Sequence, residues 1–99
     1  MCGAPDQAVA LPPGTDLTKE TVLTGRVVAG GTPVGGAYVR LLDGTGEFTA
    51  EVVSSEAGQF RFFAAPGTWT VRALSRAGTG QAELKAEGPG IHRAEIAVA

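Results

Sequence analysis

The sequence predicts an all-β fold, a sandwich of seven strands in two packed sheets, and three observations predict it. Apolar and polar residues alternate with a period of two in short blocks from Leu23 onward, which puts every second side chain on one face of a strand. Turn-forming glycines and prolines punctuate these blocks at near-regular spacing, the mark of consecutive short strands. No stretch carries the 3.6-residue period of a helix, and regularly spaced strands without helices close into two sheets.

The elements follow in order. The first predicted strand covers 21–29 and turns Leu23, Gly25 and Val27 inward. Residues 30–36 form a glycine-rich loop with one apolar plug, Val34. The second strand, 37–43, carries Ala37, Val39 and Leu41 on its inner face, and Asp43-Gly44-Thr45-Gly46 turns the chain, because glycine reaches positive φ at little steric cost. The third strand is 48–54, and Ser55-Glu56-Ala57-Gly58 reverses it. The fourth, 59–65, points Phe60 and Phe62 inward, and a tight turn at Ala65-Pro66-Gly67-Thr68 follows. The fifth, 69–75, presents Trp69, Val71 and Ala73, and Ala77-Gly78-Thr79-Gly80 leads to the sixth, 81–86. Gly88-Pro89-Gly90 leads to the seventh, 91–98, with Ala94, Ile96 and Val98 inward. Common parity puts Phe60, Phe62 and Trp69 at the centre of the core, with Val39, Leu41, Val71 and Ile96 around them.

Residues 1–20 lack periodicity, and Pro5, Pro12, Pro13 and Gly14 break any regular element there. The expectation is a mobile N-terminal arm over 1–20, pinned at most by Val9 and Leu11, and one β-sandwich domain over 21–99. A chain of 99 residues buries roughly two-thirds of its unfolded surface, enough for one compact core.

Composition excludes several function classes. The net charge of −2 comes without the basic stripe that nucleic acid demands. No apolar run approaches the ~20 residues of a membrane span. The start Met1-Cys2-Gly3-Ala4 has no basic region and no apolar segment, so no secretory signal is expected. With one cysteine there is no internal disulfide, and a cytoplasmic location is the expectation.

Four blocks carry a resemblance: Leu23-Thr-Gly25-Arg-Val27, Gly36-Ala37-Tyr-Val39, Gly58-Gln-Phe60-Arg-Phe62 and Pro66-Gly67-Thr-Trp69-Thr-Val71. In this order they resemble the carboxypeptidase regulatory-like domain. That resemblance implies a seven-stranded, antiparallel, Greek-key β-sandwich of the prealbumin type. Such domains serve as folding aids, linkers and adhesion modules, so the resemblance speaks to fold more than to function. A narrower resemblance covers nearly the whole chain. The opening Met1-Cys2-Gly3, the run from Val39 to Val52, the block Gln59 to Ala65 and the block Thr68 to Leu74 are together similar to a small family from high-GC Gram-positive bacteria. Its members are often encoded beside a rhodanese-type thiosulfate sulfurtransferase and are named as sulfur-metabolism proteins. This implies a non-catalytic accessory protein of sulfur metabolism, with that sulfurtransferase as partner.

The residues leave little room for catalysis. One histidine, His92, stands ninety positions from the one cysteine, and there is no Gly-x-Ser-x-Gly elbow. One His and one Cys cannot build a tetrahedral metal shell, and no carboxylates follow a calcium-loop spacing. The prealbumin fold also hosts a hydroxyisourate hydrolase with several His and Arg residues in its cleft, which His92 alone cannot reproduce. An Asn-derived isopeptide crosslink, as in related adhesins, is excluded because the chain contains no Asn. The expectation is no enzyme, no cofactor and no metal.

Two candidate sites remain. Cys2 becomes the N-terminal residue if the initiator Met is removed, and a thiolate exposed there can accept a sulfane sulfur from a donor persulfide. Eighteen residues separate it from Thr21, and an extended chain of that length reaches up to ~60 Å. The alternative is a terminal cysteine with no role. The second candidate is an outward-facing set: Arg40, Arg61, Arg72 and Glu51, bordered by Tyr38, Leu42 and Phe63. Three guanidiniums around one carboxylate suit an anion or a partner's acidic side chains, and aromatics beside Arg are typical of interfaces. The alternative is a solvated face with cross-strand ion pairs. Alternation does not say which strands are neighbours, so the patch forms only if at least two of the carrying strands pair. The oligomeric state is not legible.

Overall fold

The computed structural model describes residues 14 and 16–99. The chain forms β1 (Thr21–Ala29), β2 (Thr32–Pro33), β3 (Tyr38–Leu42), β4 (Phe48–Val53), β5 (Gln59–Ala64), β6 (Gly67–Ser75), β7 (Gly78–Ala86) and β8 (Gly90–Ala97). They assemble into two four-stranded sheets. Sheet A has β1 at its centre, with β5 and the two-residue β2 antiparallel to it and β8 parallel to it. Sheet B runs β4-β3-β6-β7, all antiparallel.

The all-β sandwich is as expected, but β6 and β7 begin earlier than expected, at Gly67 and Gly78, because their pairing runs on from Gly67↔Ala86 to Ser75↔Gly78, and two larger details differ. Among the described residues there are eight strands rather than seven, because Thr32–Pro33 folds back on Val28 and Ala29 where a loop was expected. The pairing is not wholly antiparallel: β8 runs parallel to β1 from Thr21↔Gly90 to Val28↔Ala97. A parallel pair needs a long crossover, and here every strand between β1 and β8 supplies it.

The core lies between the sheets and follows the predicted parity. Leu23, Val27, Phe60, Phe62 and Ile96 from sheet A meet Val39, Leu41, Val52, Val71, Ala73 and Leu84 from sheet B, all buried. Phe60 and Phe62 lie with ring centroids 6.1 Å apart at 55°, a separation typical of aromatic pairs. Trp69 departs from expectation, since it is only half-buried at the core margin. It sits near the start of β6, where its indole N–H donates to the Ala65 carbonyl at 2.9 Å, and a polar tip of this kind favours a margin over a centre.

Two motif glycines have geometric causes. A Cβ at Gly25 would lie 1.7 Å from the Ala94 carbonyl oxygen and 2.8 Å from Phe60 Cζ, so the central strand admits only glycine beneath the Phe60 ring. Gly58 adopts φ +75° at the β4–β5 turn, and a Cβ there would meet the Val27 carbonyl oxygen at 2.5 Å. On the other side of the sandwich, Ala99 and Thr79 exchange backbone hydrogen bonds (3.2 and 3.4 Å), joining the chain end beyond β8 to β7.

Only the last part of the expected arm falls among the described residues. There, Lys19 and Glu20 N–H groups donate to the Asp16 carbonyl at 3.0 and 2.8 Å, forming a turn that leads into β1. Among the described residues, no helix is long and apolar enough to cross a membrane.

Candidate functional site

Strand pairing sorts the outward side chains into two faces. On sheet B the register gives three rows: Val53–Tyr38–Leu74, Glu51–Arg40–Arg72 and Phe48–Leu42–Thr70. Tyr38 and Phe48 are 54% and 62% exposed. Arg40 Nε donates to Glu51 Oε2 at 2.8 Å. Arg72 stands directly opposite Arg40 on the antiparallel pair, an arrangement in which like charges repel. Glu51 offsets part of that repulsion at Arg40, and Arg72 remains exposed.

Phe48 was not singled out by alternation. Counted back from the inward Val52 and Ala50, it should point into the core. A register irregularity between Leu41 and Leu42 gives β4 one extra residue, and such a bulge flips everything beyond it to the other face.

The structure therefore brings together Arg40, Arg72, Glu51, Tyr38 and Leu42, and separates Arg61 and Phe63 from them. The latter two lie on β5 in sheet A, on the far side of the sandwich. The expected patch of three arginines does not form. Arg61 and Phe63 share parity with the others, but parity is blind to which sheet a strand joins. Cys2 lies outside the described residues.

Sheet A's outer face reads Phe63–Val22–Ile91, Arg61–Thr24–Arg93 and Gln59–Arg26–Glu95. A shallow cleft of about 450 Å³ opens here, lined by Val22, Thr24, Arg26, Arg61, Arg93 and Glu95 among others. Arg26 pairs with Glu95 at 3.3 Å. The Thr24 hydroxyl donates to the Phe60 carbonyl at 2.8 Å. The Arg61 guanidinium lies 6.0 Å from the Phe63 ring centroid, within cation–π range. Sequence reasoning passed over Arg26, Arg93 and Ile91. Their outward parity was legible, but the β1–β8 pairing that unites them was not.

His92 occupies the inward parity of β8 in register with Leu23, half-buried, with Nε2 2.8 Å from the Gly88 carbonyl. Among the described residues, no three His, Cys, Asp or Glu side chains converge as metal ligands. The shifted acids sit in turns, away from both faces. Asp43 is held below the ordinary carboxylate value of 3.8, first by the Thr45 hydroxyl and then by the Glu47 and Thr45 amides. Asp16 is lowered by hydrogen bonds from Thr18.

The sequence profile of a family described as "Protein of unknown function (DUF1416)" matches residues 2–98. The chain belongs to this family. An uncharacterized protein of Mycobacterium tuberculosis is 60% identical over 99 residues, covering 99% of each chain. Another uncharacterized protein, from Mycolicibacterium smegmatis, is 66% identical over 90 residues, covering 90% of this chain and all of the relative. Solved structures are similar in fold alone. A DUF3823 family protein from Parabacteroides merdae superposes with a TM-score of 0.65 at 14% identity, over 83% of this chain and 47% of that one. Catechol 1,2-dioxygenase from Acinetobacter sp. ADP1 gives 0.61 at 11% identity, over 89% and 55%. The dioxygenase domain of a carbohydrate-binding fusion from Streptomyces sp. SirexAA-E gives 0.58 at 12%, over 99% and 95%. This chain thus spans about half the length of the first two structures.

Proposed function

We propose that this chain is a non-catalytic docking protein, a sandwich of the prealbumin, carboxypeptidase regulatory-like type that binds a sulfur-transfer partner. The observation that carries the docking reading is the outer face of sheet B. Two exposed aromatics, Tyr38 and Phe48, flank the cross-strand neighbours Arg40 and Arg72, of which Arg40 holds the Glu51 carboxylate. Exposed aromatics beside arginine favour protein partners over plain solvation. Arg72 adds a place for an acidic side chain of the partner.

The partner's identity rests on the sequence resemblance described above, which points to a rhodanese-type thiosulfate sulfurtransferase in the cytoplasm. In this reading the sandwich docks and Cys2 receives the sulfur. The Cys2 thiolate attacks the outer sulfur of the partner's cysteine persulfide. A new S–S bond forms on Cys2, the old one breaks, and the partner's thiolate leaves with the electron pair. No external oxidant enters.

The test is to mix the full chain with such a sulfurtransferase and thiosulfate, measuring complex formation by calorimetry and intact mass in parallel. The expected result is a complex weakened by Tyr38→Ala and Arg72→Glu, with a gain of ~32 Da, one sulfur, lost in Cys2→Ser. A complex without the mass gain leaves a docking module with no thiol chemistry. Absence of a complex removes the sulfurtransferase as partner.

A further inference from the structure

The outer face of sheet B is complementary to itself. Its middle row sets a carboxylate and a guanidinium at equal steps on either side of Arg40, Glu51 on β4 and Arg72 on β6. Arg72 is exposed and enters no ion pair among the described residues. Glu51 gives one oxygen, Oε2, to Arg40 Nε, and its side chain remains 32% exposed. A carboxylate has lone pairs to spare for a second guanidinium. In the neighbouring rows Val53 and Leu74 flank Tyr38, and Phe48 and Thr70 flank Leu42.

Charge decides how a second copy can lie on this face. A twofold axis in the plane of the sheet and across the strands lays the middle row on itself, Arg40 on Arg40 and Arg72 on Arg72, or lays it on an apolar neighbour. An axis along the strands between β3 and β6 lays Arg40 on Arg72. An axis along β3 has neither fault. It carries β4 of one copy over β6 of the other, so Glu51 faces Arg72 of the second copy and Arg72 faces its Glu51. Arg40, on the axis, comes to lie between the two carboxylates. Val53 faces Leu74, Phe48 faces Thr70, and Tyr38 and Leu42 meet their own counterparts. Contacts reciprocal in this way define an isologous dimer, and two sheets stacked with strands aligned are an ordinary packing.

We infer that this face self-associates. Its occupant is a second copy of the chain, related by a twofold axis along β3 and held by two reciprocal Glu51–Arg72 pairs around the Tyr38 and Leu42 contacts. With strands ~4.8 Å apart and same-face residues ~7 Å apart along them, the three rows and their side-chain margins cover about 20 Å by 20 Å. Roughly 400 Å² per copy is the size of a weak, transient interface, so the dimer forms only as concentration rises. It covers the surface assigned above to the sulfur-transfer partner. Mutual exclusion of the dimer and that complex rests on the docking reading; the dimer itself does not.

The experiment is sedimentation equilibrium of the full chain alone, from about 10 µM to about 1 mM, the range of weak contacts. The wild type is expected to pass from monomer to dimer. Arg72→Glu opposes two carboxylates and Glu51→Arg opposes two guanidiniums, so each variant alone should dimerise at least ~10-fold more weakly. Mixed one to one, the two variants are complementary at both pairs and should form a heterodimer. In the wild type, amide NMR shifts on dilution should centre on Tyr38, Leu42 and Arg72, a readout that needs no variant. The inference is overturned by a wild type that stays monomeric, or by either variant alone dimerising as strongly as wild type. It is equally overturned by a mixture that stays monomeric although both variants melt like wild type, or by dilution shifts centred on sheet A. Because no sulfurtransferase is present, failure here leaves the docking reading standing, and failure of docking leaves the dimer.

Discussion

The two outer faces are built from similar residues and have opposite shapes. Each has a middle row rich in arginine and an apolar row beside it. On sheet A the interior strand β1 contributes Val22 and Thr24 to those rows, and the face is concave. On sheet B the interior strand β3 contributes Tyr38 and Arg40, and Tyr38 stands 54% exposed. The same position in a sheet thus yields 0% exposure for Val22 and a protruding ring for Tyr38. Relief on a sheet face is set by the size of the interior strand's side chains relative to their flanks. A protrusion of this kind suits a macromolecular surface.

The strongest way to break this comparison is to damage one sheet alone. Gly25→Val forces a branched side chain where even a Cβ would stand 1.7 Å from the Ala94 carbonyl. Overpacking of this kind should cost upwards of ~3 kcal/mol. Hydrogen exchange should accelerate in β1, β5 and β8 beyond the change in β3 and β6; uniform acceleration would show that the sheets do not open separately.

A smaller effect is expected where the chain crosses from sheet A to sheet B. The Ser54 hydroxyl, buried, accepts from the Ala37 amide at 2.9 Å and donates to the Val34 carbonyl at 2.8 Å. Ser54→Ala leaves both groups without that partner and should cost ~1–3 kcal/mol in a denaturant melt.

A reciprocal pair of surface changes sharpens the comparison directly. Thr24→Phe fills the trough and loses one hydrogen bond, so a stability change of about 1 kcal/mol is expected. Partner docking on the other sheet should persist. Tyr38→Ala should weaken docking, with the melt within ~0.5 kcal/mol of wild type. If Thr24→Phe abolishes docking as well, the faces are not independent.

The smallest effect concerns neither face. Asp43's carboxyl is lowered in the folded chain, so its contribution is present above its unfolded value and fades as pH falls through its folded one. The Thr45 and Glu47 amide resonances should therefore titrate with a midpoint below 3.8, and Asp43→Asn should remove the transition.

Much of this architecture was legible without coordinates. Leu23, Val27, Val39, Leu41, Phe60, Phe62, Val71 and Ile96 are buried as their parity requires, because alternation is a local property of the chain. Turn glycines such as Gly58 mark reversals for an equally local reason, their backbone angle. Phe48 was illegible because a bulge is an insertion relative to a partner strand, and the partner is not written in the strand itself. The arginines show the same limit. Arg40, Arg61 and Arg72 have the same parity, yet β3 and β6 pair with one another while β5 pairs with β1. Whether an outward residue belongs to a trough or to a protrusion depends on which strands flank it. Sequence alone determined most strand positions and inward faces and most of the turns, since each depends chiefly on neighbours along the chain, with β2 and the bulged start of β4 as exceptions. Tertiary structure decided sheet membership, the parallel β1–β8 pair and the shape of both outer faces, since those depend on contacts between residues as distant as Thr24 and Arg93.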